Sequence, residues 1–181
     1  EIPNRDWSSD VCSSDLKDMP AFTLYTDKPF AASVGVVNGK WSYTSPAGAI
    51  DSGIAADAQW HQIALTHFTA RGETLLYVDG RSAGHLSERL EPARFVVGGP
   101  GTSGAAAAPR QADYKNVLIY RAGMNADEIA AISQGKLLQG SLDIDSPLDA
   151  QAFTAGSTVG NLAQSLDAMR VGTDRIAHMD E

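Results

Sequence analysis

Tyr114 stands between Asp113 on one side and Lys115 and Asn116 on the other. An aromatic ring offers a large contact area at small entropic cost, and a neighbouring carboxylate and amide can hydrogen-bond a polar ligand. Tyr114, Asp113 and Asn116 are therefore the candidate ligand-binding residues. The other large aromatics are Trp41, Tyr43, Trp60 and Tyr77. Trp41 and Tyr43 belong with Val34 and Val36 in a patterned hairpin and are expected in the core. Metal chemistry finds less support in the histidines. His61 and His67 share a strand parity, but six residues at about 3.3 Å each put them roughly 20 Å apart, too far for one zinc ion. Asp143-Ile144-Asp145 is the nearest approach to a carboxylate pair, followed by Ser146-Pro147-Leu148 with no glutamate beside it. Those two acids read as strand-edge residues. A Gly-x-Ser-x-Gly elbow, a P-loop and a dinucleotide fingerprint are all missing, so no enzyme activity is expected.

The elements that would position these residues are strands. In 62–67, Ile63, Leu65 and His67 alternate with Gln62, Ala64 and Thr66, and the β-rich Leu75-Leu76-Tyr77-Val78 follows a short polar loop, the pattern of a hairpin. Asp79-Gly80 and Asn38-Gly39 both suit a type I′ turn, since Asp, Asn and Gly tolerate the positive φ it requires. Pairing across Asn38-Gly39 places Val36 opposite Trp41 and Val34 opposite Tyr43. Further strands are expected at 21–25, 32–37, 40–44, 60–68, 74–78, 81–85, 94–97 and 113–120. Short strands with regular turn chemistry indicate an all-β antiparallel sandwich. The Gly- and Ala-rich stretch 98–108 reads as a surface loop. One helix is expected over 125–134: Asn125 can cap it, Glu128 completes a capping box, Ile129 and Ile132 share a face, and Gly135 can end it.

Residues 1–16 read as foreign to the protein. Asp6 to Leu16 match, codon for codon, the translation of a common sequencing-library adapter, and Glu1 to Arg5 fit the same source. Such a segment is set aside in reasoning about the fold and is expected to be unstructured. The full chain of 181 residues carries 14 Lys+Arg against 22 Asp+Glu, a net charge of −8. Residues 1–16 contribute Arg5 against Glu1, Asp6, Asp10 and Asp15, so the remainder holds 13 basic and 18 acidic residues, a net −5. The single cysteine is Cys12, which leaves no thiol or disulfide in the rest. An acidic balance without a Lys/Arg cluster argues against nucleic acid or an anionic membrane as partner. No apolar stretch approaches the roughly 20 residues of a membrane-spanning helix, and a hydrophobic content of 43% is ordinary for one globular domain.

Taken in order, Trp60-His61, Tyr77-Val78-Asp79-Gly80, Val97-Gly98-Gly99, Ile119-Tyr120 and the capped helix over 125–132 resemble a laminin G-like domain of the concanavalin A-like jelly-roll class. The likeness runs over about 22–138. It implies a jelly roll whose first strands, ahead of Phe22, are absent. It implies that Trp60 is structural, and that one calcium ion is held by loop carboxylates and carbonyls; Asp51, Asp57, Asp79 and Asp113 are the available acids. Asp79 also has a sufficient role in its turn. Lys115 stands where the resembled pattern has an acid, which removes a carboxylate from any site there. Glucanases that share this jelly roll carry a Glu-x-Asp-x-x-Glu strand, which the chain lacks.

The expected organisation is an adapter segment at 1–16, a partial laminin G-like sandwich over 17–148, and a linker or the start of another module over 149–181. In it, 141–148 would form a last strand pairing with the missing first one. The leading expectation is a non-catalytic recognition module of a larger secreted or surface bacterial protein, binding glycan or extracellular protein beside other domains of its parent chain. Such a module would be extracellular, on the cell surface or periplasmic, with no membrane insertion. A structural spacer or docking domain attached to a hydrolase is the alternative, and a glucanase-type hydrolase fragment the weakest one.

Overall fold

The computed structural model describes residues 6–13, 19–26, 31–98, 112–148 and 153–172. The strands are β1 Asp6–Ser13, β2 Met19–Thr26, β3 Ala31–Val37, β4 Lys40–Ser45, β5 Gly48–Ala55, β6 Trp60–Phe68, β7 Glu73–Val78, β8 Arg81–Ser87, β9 Pro92–Val97 and β10 Ala112–Tyr120. The helix α1 Ala126–Ser133 follows, then β11 Leu142–Pro147 and the short β12 Thr158–Val159 and β13 Met169–Arg170. Two antiparallel sheets make the sandwich: a six-stranded one in the order β11-β10-β1-β6-β7-β8 and a five-stranded one in the order β5-β4-β3-β2-β9.

Turn chemistry sets the register. Asn38 and Gly39 take φ of 51° and 73°, and Asp79 and Gly80 take 52° and 74°, the left-handed pair of a two-residue hairpin. Val36 consequently pairs with Trp41 and Val34 with Tyr43, and all four are buried. Gly80 is required twice over, because a Cβ there would run into the Ser133 side chain of α1.

The main core lies between the sheets and joins Phe22, Leu24, Val34, Trp41 and Tyr43 to Ile63, Leu65, Leu76, Val117 and Ile119. A second cluster lies on the outer face of the six-stranded sheet, where α1 covers Ala64, Tyr77, Leu118, Tyr120 and Leu142 with Ile129 and Ile132. Asn125 caps the helix by accepting from the N–H groups of Asp127 and Glu128, and Glu128 accepts from the Asn125 N–H at 2.8 Å, the expected capping box. Gly135, with φ of 80°, follows its end.

Three expectations are corrected. Asp6–Ser13 is a strand rather than unstructured, hydrogen-bonded to β6 on one side and β10 on the other; two flanking edges supply backbone partners to whatever chain extends between them. The last strand, β11, pairs with β10 and not with a first strand. And 153–172 is not a bare linker. The Asn161 side chain accepts from the N–H groups of Asp145 and Ala163 and donates to the carbonyls of Asp143 and Asp167, so this segment covers the free side of β11. Ser165 Oγ adds a hydrogen bond to the Asp143 carbonyl. β5 was not expected either, its Gly-Ala-Ile-Asp-Ser-Gly-Ile-Ala being poor in β-formers. Asp143 and Asp145 lie on β11, an edge strand as expected, and both are buried, Asp143 against Arg121 Nε at 2.8 Å. Residues 1–5 and 14–16, the loop over 99–108, and residues 149–152 and 173–181 lie outside the described residues. Among the described residues no helix is long and apolar enough to cross a membrane.

Candidate functional site

One end of the sandwich gathers the β3–β4 turn, the loop between β5 and β6, and the β7–β8 turn. The Ala56 N–H donates to the Gly39 carbonyl at 2.9 Å, tying that loop to the first turn. His61, near the start of β6, ties the rest together. Its Nδ1 lies 2.9 Å from Asp79 Oδ2 and its Nε2 3.1 Å from Asp57 Oδ1. A carboxylate can only accept, so both contacts are hydrogen bonds when the ring carries both protons. Asp79 Oδ1 also accepts from the Gln62 N–H at 3.0 Å, and the His61 ring meets the buried Trp41 edge-on at 6.0 Å between centroids. The Gln59 N–H, and next the His61 ring, hold the Asp57 carboxyl below the usual carboxylate range.

Beside this clamp stands Trp60, 50% exposed. Val37, Leu137, Leu162 and Leu166 are the other exposed large apolar side chains among the described residues, so Trp60 is the aromatic one. Asp57 and Gln59, just ahead of it in the chain, are exposed. Its place follows from parity: His61, Ile63 and Leu65 point into the sandwich, so Trp60, like Ala64, belongs to the outer face, beyond the reach of α1. The family position of Trp60 had suggested a structural role; the alternation along β6 was the signal for an exposed ring.

The residues expected to bind ligand are placed differently. The Tyr114 ring packs against the main core and its hydroxyl donates to the Ala21 carbonyl at 2.8 Å. Burial pushes that hydroxyl far up, so it stays protonated. Asp113 precedes it on β10, registered with Cys12. Asn116 is registered with Asp10 and Pro147, and its buried Oδ1 accepts no hydrogen bond from the described residues.

The four acids proposed for calcium do not converge. Asp57 and Asp79 meet at opposite nitrogens of one imidazole, whereas Asp51 accepts from the Gly53 N–H at 2.7 Å and meets Lys40 at 3.4 Å. Gly53, then Lys40, lower the Asp51 carboxyl. Asp113 lies on β10. Among the described residues no group of three or more His, Cys, Asp or Glu could hold a metal ion. Calcium takes six to eight oxygens, and this donor set does not fit it. Nor do Asp57 and Asp79 form a hydrolytic pair, since the imidazole occupies the space between them that a glycosidic bond would need.

No protein-family model matches the sequence, and no characterised protein matches it by sequence. Solved structures do match in fold. A candidate carbohydrate-binding protein from Bacteroides ovatus aligns at a TM-score of 0.69 and 10% identity, over 96% of this chain and 55% of that one. A Trypanosoma rangeli sialidase mutant with trans-sialidase activity aligns at 0.61 and 21%, over 73% of this chain and 23% of that one. The CBM40 of the Ruminococcus gnavus IT-sialidase, bound to α2,3-sialyllactose, aligns at 0.58 and 11%, over 73% and 83%. The chain thus spans about a quarter of the sialidase and about half of the Bacteroides protein. At these identities the likeness is one of fold, an antiparallel β-sandwich of the jelly-roll kind.

Proposed function

We propose that this chain is a non-catalytic carbohydrate-recognition module, with the exposed Trp60 ring as the surface on which a sugar stacks. The observation that carries the reading is an indole left half exposed at a sandwich end, just after the loop that carries the exposed Asp57 and Gln59. Aromatic rings supply large amphipathic contact area there, and the fixed carboxylate of Asp57 gives a sugar hydroxyl an acceptor. The His61 clamp serves this arrangement by holding both turns in place. Structural neighbours that include a candidate carbohydrate-binding protein and a sialyllactose-bound CBM40 support the same reading. It includes a secreted or cell-surface setting for the parent chain, with this module beside other domains.

The test is a glycan panel read by calorimetry, on the parent chain and on Trp60→Ala. Binding without turnover that Trp60→Ala abolishes supports the proposal. Silence across the panel, with no protein partner captured, would return the chain to a spacer or docking role.

A second reading is favoured by one atom. The Asn116 Oδ1 is buried without a partner among the described residues, and a buried acceptor left unsatisfied costs about 1–3 kcal/mol. A polar ligand group reaching Asn116 would remove that cost. Asn116→Ala that weakens glycan binding while Trp60→Ala does not would select this second location.

A further inference from the structure

The outer face of the five-stranded sheet is polar, and one of its side chains is unsatisfied. Phe22 and Leu24 of β2, Val34 of β3, Tyr43 of β4 and Phe95 and Val97 of β9 pack into or against the main core. Strand alternation therefore turns Thr23, Tyr25, Ser33, Thr44, Arg94 and Val96 the other way. Thr23 is registered with Ser33 on one side and Val96 on the other, Ser33 with Thr44, and Tyr25 with Arg94. Three hydroxyl side chains thus form a row across β2, β3 and β4, at strand spacings of about 4.8 Å.

Thr23 is 3% exposed, and its Oγ1 has no hydrogen-bond partner among the described residues. A hydroxyl buried without a partner costs stability, so this one marks a position that a ligand oxygen completes. Arg94, itself exposed, lays its guanidinium over the half-buried Tyr25 ring, 4.4 Å from the centroid. Stacking occupies a face of the guanidinium and leaves its N–H edges, the geometry that takes a carboxylate by two parallel hydrogen bonds. Arg94 and Thr23 are diagonal neighbours on adjacent strands, about 7–8 Å apart, a gap that one sugar ring with its carboxylate spans. Lys40 and Asp51 on the same face pair with each other at 3.4 Å, so among the described residues Arg94 sets the charge that a ligand meets there.

We infer that this face is a second glycan-binding site, for a sugar bearing a carboxylate: Arg94 holds the carboxylate, and Thr23 Oγ1, flanked by Ser33, hydrogen-bonds a ring hydroxyl. The location is separate from Trp60, which belongs to the outer face of the other sheet. It also favours the opposite charge, because the Asp57 carboxylate just ahead of Trp60 repels acidic sugars.

The test uses the full chain carrying Trp60→Ala, so that its outcome does not depend on the Trp60 site. The probes are a uronate trisaccharide, a sialylated trisaccharide and the neutral disaccharide core of the latter, read by calorimetry. At least one acidic probe should bind at least about tenfold tighter than the neutral core, and which one does so tells uronate from sialate. Arg94→Gln should remove that preference, with Arg94→Lys between, since lysine keeps the charge and loses the fork. Thr23→Val deletes both the hydroxyl that the ligand completes and an unsatisfied buried group. Affinity should therefore fall several-fold while the melting temperature holds or rises. Acidic probes that bind no better than the neutral core overturn the inference, and so does an affinity untouched by Arg94→Gln. A Thr23→Val chain that keeps its affinity overturns it too, as does one that loses stability, because the hydroxyl would then already be satisfied within the fold.

Discussion

Asn161 Oδ1 accepts the backbone N–H of Asp145 at 2.9 Å, so a side chain stands where a neighbouring strand would otherwise pair with β11. The same amide gives its two donors to the carbonyls of Asp143 and Asp167, and the Leu162 N–H donates to the Asp145 carbonyl at 2.8 Å. One residue thus closes the edge of the six-stranded sheet. Asn161→Ala leaves several of these groups unpaired and is expected to destabilise the fold by about 1–3 kcal/mol. Urea unfolding measures the loss, and faster hydrogen exchange at the Asp145 amide locates it.

The two tryptophans of β4 and β6 should separate cleanly. Trp41 is fully buried and Trp60 half exposed. Trp41→Ala is expected to cost about 3–5 kcal/mol through the cavity it opens. Trp60→Ala should change stability by less than about 0.5 kcal/mol while weakening glycan binding at least tenfold, or by about 1.4 kcal/mol. Thermal unfolding and calorimetry on the two variants give both numbers.

Gly84 has φ of 146°, and a Cβ built on it would lie 2.8 Å from Ile50 Cγ2 of the facing sheet. Gly84→Ala is expected to cost about 1–3 kcal/mol by overpacking. In an Ile50→Ala background the clash has no partner, so the penalty should shrink to the part that comes from the backbone angle alone. A double-mutant cycle by denaturant unfolding isolates the coupling; additive losses would show that β8 and β5 do not meet at this point.

The buried His67 accepts the Leu90 N–H at Nε2, 3.3 Å, and faces Thr74 Oγ1 through Nδ1 at 2.9 Å, an arrangement for the neutral ring. Burial pushes its pKa below the ordinary 6.5, against the opposing pull of Glu88. In the unfolded chain the ring protonates at its ordinary value, earlier than in the fold. The stability it contributes is therefore complete above about pH 6.5 and declines as pH falls from there toward the folded pKa. Unfolding free energies measured from pH 8 to 5 should show this slope, and His67→Gln should flatten it.

Asp79 serves the His61 ring, the Gln62 N–H and a positive φ at once, whereas Asp57 serves the ring and the Gln59 N–H. Asp79→Ala should accordingly cost more than Asp57→Ala, by about 1 kcal/mol, with Asp79→Asn intermediate because Asn keeps the turn conformation. Since these carboxylates are committed to protein donors, millimolar calcium should leave the melting temperature unchanged. A calcium-dependent rise removed by Asp57→Asn would contradict the geometry.

What the sequence disclosed was mostly local. Asn38-Gly39 and Asp79-Gly80 announce their hairpins because only such residues accept those angles, and Asn125 with Glu128 announces the helix for the same kind of reason. Strand β5 stayed hidden because Gly48, Gly53 and Asp51 carry no strand signal; its place comes from pairing with β4. The role of Asn161 was equally silent, since what it satisfies lies 16 residues away on β11. For the candidate site, the chemistry of Tyr114 was legible and its orientation was not: the bulge opposite Asp10 and Val11 changes the parity of β10, and Tyr114 ends against the core. Trp60 shows the reverse case, a residue whose exposure could be read from the alternation beside it.

Two tyrosines, Tyr43 buried and Tyr114 partly buried, join the sheets by hydroxyl groups. Tyr43 of the five-stranded sheet donates to Glu88 Oε1 at 2.5 Å, just after β8 of the other, and Tyr114 of the six-stranded sheet donates to the Ala21 carbonyl at 2.8 Å. Apolar faces resist separation but yield to sliding, because one methyl contact exchanges for the next at little change in energy. A single pin would stop that glide and still permit the layers to pivot about it. Two pins forbid both motions, so this sandwich answers a shearing load as one plate.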